Sequence, residues 1–175
     1  WNTILTVVGV VTLFVGAVLA LRQRDLKAIL AYSTISQLGA FVALIGLPHG
    51  EGIKAALVGV LAHGLYKCTL FLVAGAVDHA TGTRDITVLG GLRRSMPGFA
   101  VVTAVAGLSM AGVPPLFGFI AKELLIEAAE INLLMLAIVV VSAAFTVTVA
   151  IRLFWDVFVR PPSPEEQEHL HPHEL

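Results

Sequence analysis

The chain has 175 residues, 57% of them hydrophobic and 13% charged, with a net charge of −1 and a mean hydropathy of +0.90. This composition excludes an ordinary soluble domain, and the near-zero charge excludes an electrostatic footprint for nucleic acid. The single cysteine, Cys68, excludes an internal disulfide, a multi-cysteine metal site and an iron–sulfur cluster.

A membrane-spanning helix needs about 20 mostly apolar residues. The first such run is Thr3 to Leu21, "TILTVVGVVTLFVGAVLAL", without a charge. It lacks a basic n-region and a small-residue cleavage site, so it is expected to span and not to be a signal peptide. The chain opens on Trp1 directly into this run, which leads us to expect a piece of a longer membrane protein. The second run, Leu26 to Leu47, carries Lys27 at its start, where a lysine normally snorkels to the surface. Inside it, Tyr32, Ser33, Thr34, Ser36 and Gln37 make an unusually polar stretch, suited to hydrating a channel or to bonding between helices.

The third run, Ile53 to Val77, holds His63 and Lys67. Lys67 lies 13 residues after Lys54 and 11 before Asp78. At 1.5 Å per residue that is roughly 20 Å and 16 Å, close to the bilayer midplane. His63 sits one turn away on the same face, and Asp78, three turns on, falls near the same stripe. Asp78 by itself reads as a solvated helix end.

The fourth run, about Gly98 to Glu130, is interrupted by "GVPPLFG". Pro114 and Pro115 remove two backbone donors and break the helix. Irregular backbone at membrane depth is tolerated only inside protein or beside a wet cavity, and discontinuous helices mark ion sites in transporters. Lys122 follows the break, nine residues before Ile131. That places it roughly 13 Å from the nearer surface, again deep. Glu123, Glu127 and Glu130 step outwards; Glu123 and Glu127 share a face, and Glu127 and Glu130 read as a solvated end.

The last run is Ile131 to Asp156, with Arg152 and Asp156 spaced for an ion pair. The proline-rich, charged remainder is expected to be a solvated tail. Its His169, His171 and His173 lack the further ligands that a metal site needs. Residues 1–157 are thus expected to form one transmembrane domain and residues 158–175 a polar tail.

Alternating crossings put Arg22, Arg24, Lys27, Arg84, Arg93, Arg94, Arg152 and Arg160 on one face, against Lys54 alone on the other. By the positive-inside rule the basic face is cytoplasmic, so the N-terminus is expected outside and the tail inside. The expected fold is all-α and polytopic, with five crossings, one of them discontinuous.

A buried lysine offers a proton that can move. Burial favours the neutral amine, a nearby carboxylate favours the ammonium, and histidine is the natural relay. Such lysines can also pair with carboxylates and merely hold helices together. Two of them on separate helices, one just after a break, read as a proton path with no bond-breaking chemistry.

Three stretches, "DLKAILAYSTISQLG", "AHGLYKCTLFLVAGAVDHATGTRDITVLGGL" and "SMAGVPPLFGFIAKE", closely resemble the antiporter-like membrane subunits shared by respiratory complex I, membrane hydrogenases and Mrp-type cation/proton antiporters. The resemblance covers about Gly9 to Glu127. "VDHATGTRDITVLGGL" is most similar to the large A subunits of Mrp antiporters, and "HPHEL" resembles the start of their next segment. The resemblance implies two inverted five-helix repeats in a whole subunit, of which this chain supplies the second. It also implies a multisubunit complex in the plasma membrane, surrounded by lipid, exchanging a monovalent cation (Na⁺) for H⁺ without cofactor or resident metal. The alternative is a proton-pumping subunit of an NADH–quinone oxidoreductase or a membrane hydrogenase. The matched positions imply proton-transfer roles for Lys67, His63 and Lys122, and align Lys27 with a lysine at the start of the polar helix. From their positions in the sequence, Lys27, Glu123 and Asp78 are candidates for the path or for its ion pairs. A lysine–glutamate pair of the first repeat has no counterpart here. The chain departs from the pattern at Ala62, Tyr66 and Ala121, where Asn, Phe and Ser are expected.

Overall fold

A computed structural model describes residues 1–47, 50–130 and 132–161, so the expectations for the tail beyond Pro161, including its three histidines, lie outside the described residues; Phe158, placed in the tail by the sequence, is instead buried in the helical end that runs to Val159. The apolar runs are all helical: α1 Asn2–Arg22, α2 Leu26–Ile45, α3 Glu51–Thr81, α4 Pro97–Ala111, α5 Phe117–Ala129 and α6 Leu133–Phe154, which continues into a π-helical turn, Trp155–Val159. Among the described residues there is no strand, only an isolated bridge between Asp25 and Asp85. Local chemistry sets the ends. The Asp25 carboxylate accepts from the Ala28 amide and the Asn132 side chain from the Leu134 amide, each an N-cap. Pro97 sits in the first turn of α4, where its missing N–H costs nothing. Gly82 and Gly112, at φ 69° and 80°, end α3 and α4 in the left-handed region.

Among the described residues four helices, α1, α2, α3 and α6 with its π turn, are long and apolar enough to cross a bilayer. The chain is therefore an all-α, multi-pass membrane protein. α4 and α5, of 15 and 13 residues, are each too short to cross alone. α3 is longer than its apolar run, 31 residues or about 46 Å, so its ends exceed the hydrocarbon core of about 30 Å. Asp78 lies in that extension.

α1 and α2 pack backbone to backbone. A Cβ on Gly9 would run into Gly39 and Ala43 of α2, and one on Gly39 into Gly9 and Leu13 of α1. The close approach lets the Ser36 hydroxyl donate to the Leu13 carbonyl at 2.9 Å. Small residues that let helices touch are the usual device in lipid, where apolar side chains gain little by leaving their solvent. Replacing Gly39 by Val should cost about 1–3 kcal/mol through overpacking. A lowered unfolding midpoint of the detergent-solubilised protein, with α-helical content retained below it, is the expected result.

The three basic regions meet at one end of the bundle. The Leu26 amide donates to the Arg84 carbonyl and the Ile86 amide to the Arg24 carbonyl, at 2.8 and 2.9 Å, joining the α1–α2 and α3–α4 loops. Arg84 pairs with Asp25 at 3.1 Å, and Arg152 donates to the Leu21 carbonyl at 3.1 Å while pairing with Asp156 at 3.7 Å. Within the α3–α4 loop, the Thr87 hydroxyl and amide donate to Asp85 and hold its carboxyl below the usual carboxylate range.

Candidate functional site

His63 and Lys67 lie near the middle of α3 and are both buried. They face α2, whose polar stretch supplies their surroundings. The Lys67 ammonium donates to the Ser33 hydroxyl and to the Leu30 carbonyl, the latter at 3.2 Å. The Leu30 carbonyl also accepts from the Ser33 and Thr34 hydroxyls, each at 2.9 Å. An oxygen with two lone pairs cannot serve every donor fully at once, so these hydrogen bonds compete. His63 Nδ1 stands 3.2 Å from the Tyr66 hydroxyl, and His63 Nε2 is buried without a partner. The ring is held edge-on to Phe41 and Tyr66.

Lys122 is built in the same way at the break. Gly112 turns the chain at the end of α4, where the Val113 amide returns to the Leu108 carbonyl at 3.0 Å. A short connection through Pro114 and Pro115 leads into α5. α5 starts alongside the end of α4, with the Gly118 amide donating to the Ser109 hydroxyl at 3.3 Å. A side chain at Gly118 would collide with the Ser109 carbonyl, so the overlap of the two helix ends requires glycine there. From α5, the Lys122 ammonium reaches back to the Ala111 carbonyl and across to the Thr146 hydroxyl of α6, both at 3.0 Å. It thus lies at the carbonyl end of α4, where the helix dipole favours a cation. Neither Lys67 nor Lys122 has a carboxylate within ion-pair distance among the described residues.

Beside the Lys122 site lies a cavity of about 40 Å³, lined in part by Gln37, Tyr66, Ser109, Lys122 and Ser142; Lys67 and His63 do not line it, and His63 meets it through its contact with Tyr66. That volume admits roughly one to three waters. Ala62, Tyr66 and Ala121, the positions at which the chain departs from the resemblance, all line it.

Lys27 and Asp78 are brought together, but away from this cavity: they form a half-buried ion pair of 2.7 Å at the basic end, with Arg84 3.9 Å from Asp78. Lys27 therefore meets a carboxylate instead of extending alone to the surface. Asp78 shares the α3 stripe with Lys67, yet its partners come from α2 and the following loop. Glu123 is exposed and makes no ion pair among the described residues, and Glu127 and Glu130 are exposed as well. Ser142 and Thr146 were not singled out in the sequence. They lie four apart, and both are buried on the face of α6 that meets α2 and α5. That spacing of hydroxyls in an apolar run was the available signal.

The sequence pattern of a family described as NADH:quinone oxidoreductase/Mrp antiporter, TM, matches residues 1–147. The Na(+)/H(+) antiporter subunit A1 of Staphylococcus aureus (strain JH9) is 38% identical over 95% of this chain. The antiporter subunit mnhA2 of Staphylococcus haemolyticus (strain JCSC1435) is 39% identical over 95% of it. The chain spans 24% of the length of each of these relatives. Among solved structures, a chain in the Mrp complex from Dietzia sp. DQ12-45-1b superposes with a TM-score of 0.81 at 42% identity, over 88% of this chain and 18% of that one. A chain in the membrane-bound sulfane sulfur reductase, an archaeal respiratory membrane complex, superposes with a TM-score of 0.87 at 32% identity, over 96% of this chain and 28% of that one.

Proposed function

This chain belongs to the NADH:quinone oxidoreductase/Mrp antiporter transmembrane family, and on that premise we propose that it moves protons within a multisubunit antiporter exchanging Na⁺ for H⁺. Lys67, His63 and Lys122 are the groups that take and release the proton. The observation that carries this reading is the shared construction of the two lysine sites. Each ammonium is held by one main-chain carbonyl and one hydroxyl, with no carboxylate within ion-pair distance among the described residues, and Lys122 lines a cavity sized for water that Tyr66, the neighbour of Lys67, lines as well. A buried ammonium paired with a carboxylate is locked, because losing the proton strands a bare anion. One held by dipoles alone gives up its proton and strands nothing. The proton is proposed to pass along Lys67, His63, water and Lys122.

In this reading α4 and α5 together make a fifth, discontinuous crossing, as in one repeat of an inverted pair. The basic end, with the Lys27–Asp78 pair at its rim, faces the cytoplasm of a plasma-membrane protein. The N-terminus then lies outside, the transmembrane domain runs to the end of the π-helical turn at Val159, two residues beyond the boundary expected from the sequence, and the residues after it form a cytoplasmic tail. Other subunits of the complex and lipid cover the exposed apolar faces, such as Val7, Val11 and Val18 of α1.

The likeness to a chain of a respiratory membrane complex supports a second reading, a proton-pumping subunit of a redox-driven machine. Everted vesicles carrying the full-length subunit in its complex separate the two. With the interior acidified by respiration, a Na⁺ pulse should collapse the pH gradient if the antiporter reading holds. A gradient that ignores Na⁺ and is built by substrate oxidation through this complex favours the redox pump.

A further inference from the structure

We infer that His63 takes and releases its proton at Nε2, and that Tyr66, held by Gln37 and Ser142, is the positioning residue that fixes this choice. The inference rests on the proton-carrying reading of the site and names a residue that this reading does not use.

The chain of donors sets the direction. Gln37 Nε2 donates to the Ser142 hydroxyl at 3.4 Å, which turns Gln37 Oε1 towards Tyr66. The Tyr66 hydroxyl donates its one proton to that oxygen at 3.0 Å. What it presents to His63 Nδ1, 3.2 Å away, is therefore a lone pair. A neutral imidazole facing an acceptor at Nδ1 carries its hydrogen there. Nε2 is then the basic nitrogen, and it is the one buried side-chain nitrogen or oxygen without a partner among the described residues. A buried group left without a partner calls for an explanation, and an empty landing place for a proton supplies one. When a proton arrives at Nε2 the ring becomes a double donor, and its Nδ1–H stays bonded to Tyr66. When the proton leaves, the same hydrogen bond returns the ring to the same tautomer. Only N–H bonds of the lysines and the ring, and O–H bonds of the relaying water, are made or broken.

The groups around the ring are few. On α3 they are Lys67, one turn on, and Tyr66. α2 presents the neutral Gln37 and Phe41, while Ser109 of α4 and Lys122 of α5 line the cavity that Tyr66 also lines. No carboxylate lies within ion-pair distance of His63 among the described residues, so a hydroxyl does the orienting that a carboxylate does in many histidine sites.

The test uses the full-length subunit in its complex and reads Na⁺-driven proton flux. Tyr66→Phe keeps the ring and its packing and removes one oxygen. It should slow maximal exchange roughly tenfold, because a cavity water replaces the hydroxyl only part of the time. The half-saturating Na⁺ concentration should stay unchanged, and the slowing on transfer from H₂O to D₂O should grow. Gln37→Met breaks the same chain one link further on, so the double variant should be no slower than the slower single variant. Tyr66→Phe exchanging at the wild-type rate with the wild-type isotope effect would overturn the inference. So would losses that multiply in the double variant, which mark two independent structural defects. The Lys67→Ala variant is measured in parallel: full exchange there defeats the proton-carrying reading itself, whereas an inactive Lys67→Ala beside a wild-type Tyr66→Phe defeats the Tyr66 role alone.

Discussion

Replacing Lys67 by alanine should abolish exchange, a loss of at least about a hundredfold, as expected when a proton-transfer group is removed. The complex should still assemble. The Ser33 hydroxyl already donates to the Leu30 carbonyl, so removing the ammonium leaves neither oxygen without a hydrogen bond. Lys67→Arg is the sharper variant. Guanidinium stays charged, so it keeps the cation and removes the ability to release a proton. If the lysine only tied α3 to α2, Arg would retain much of the function and Ala would destabilise the bundle. In the proton-carrying account both variants are inactive, and thermal unfolding of the Ala variant falls only by the cost of the space it leaves. Exchange assays and unfolding midpoints on the same preparations separate these outcomes.

The second large effect is expected at Lys122. Its aliphatic stem packs on Gly112, where a Cβ would meet the Lys122 side chain, and its ammonium caps the carbonyl end of α4. Lys122→Arg preserves the charge at that helix end but holds it permanently. Exchange should fall by about a hundredfold in Lys122→Arg and equally in Lys122→Ala. Only the Ala variant should also lower the unfolding midpoint, because it removes both the packing on Gly112 and the cap. Equal exchange in wild type and Lys122→Arg would make the residue a helix cap with no part in transport.

The parts of the site legible in the sequence were those that violate the rules of an apolar helix. A lysine near the middle of α3, a histidine one turn before it and two prolines inside an apolar run each stand out in a lipid-facing pattern, because each costs free energy there. The hydrogen-bond partners were not legible in the same way. The Leu30 and Ala111 carbonyls exist at every residue, and only the fold decides which of them faces a lysine. Ser142 and Thr146 are the kind of hydroxyl that apolar helices commonly carry. The polar stretch of α2 divided its work: Ser33 and Gln37 face the site, Ser36 bonds to α1, and Thr34 bonds within its own helix. Asp78 shows the limit of stripe arguments. Its spacing put it in line with Lys67, but α3 is long enough to carry it out to the basic end, where Lys27 and Arg84 meet it. The break was legible from Pro114 and Pro115; the sideways overlap of α4 and α5 depends on Gly118 having no side chain, which only the packing reveals.

The most direct test of the central claim is proton flux through the purified complex in proteoliposomes, under an imposed Na⁺ gradient and without any oxidisable substrate. A pH-sensitive dye inside the vesicles reports the flux for wild type and Lys67→Ala side by side. The account predicts Na⁺-driven proton movement in the wild type and none in the variant. Equal proton movement in both would contradict it.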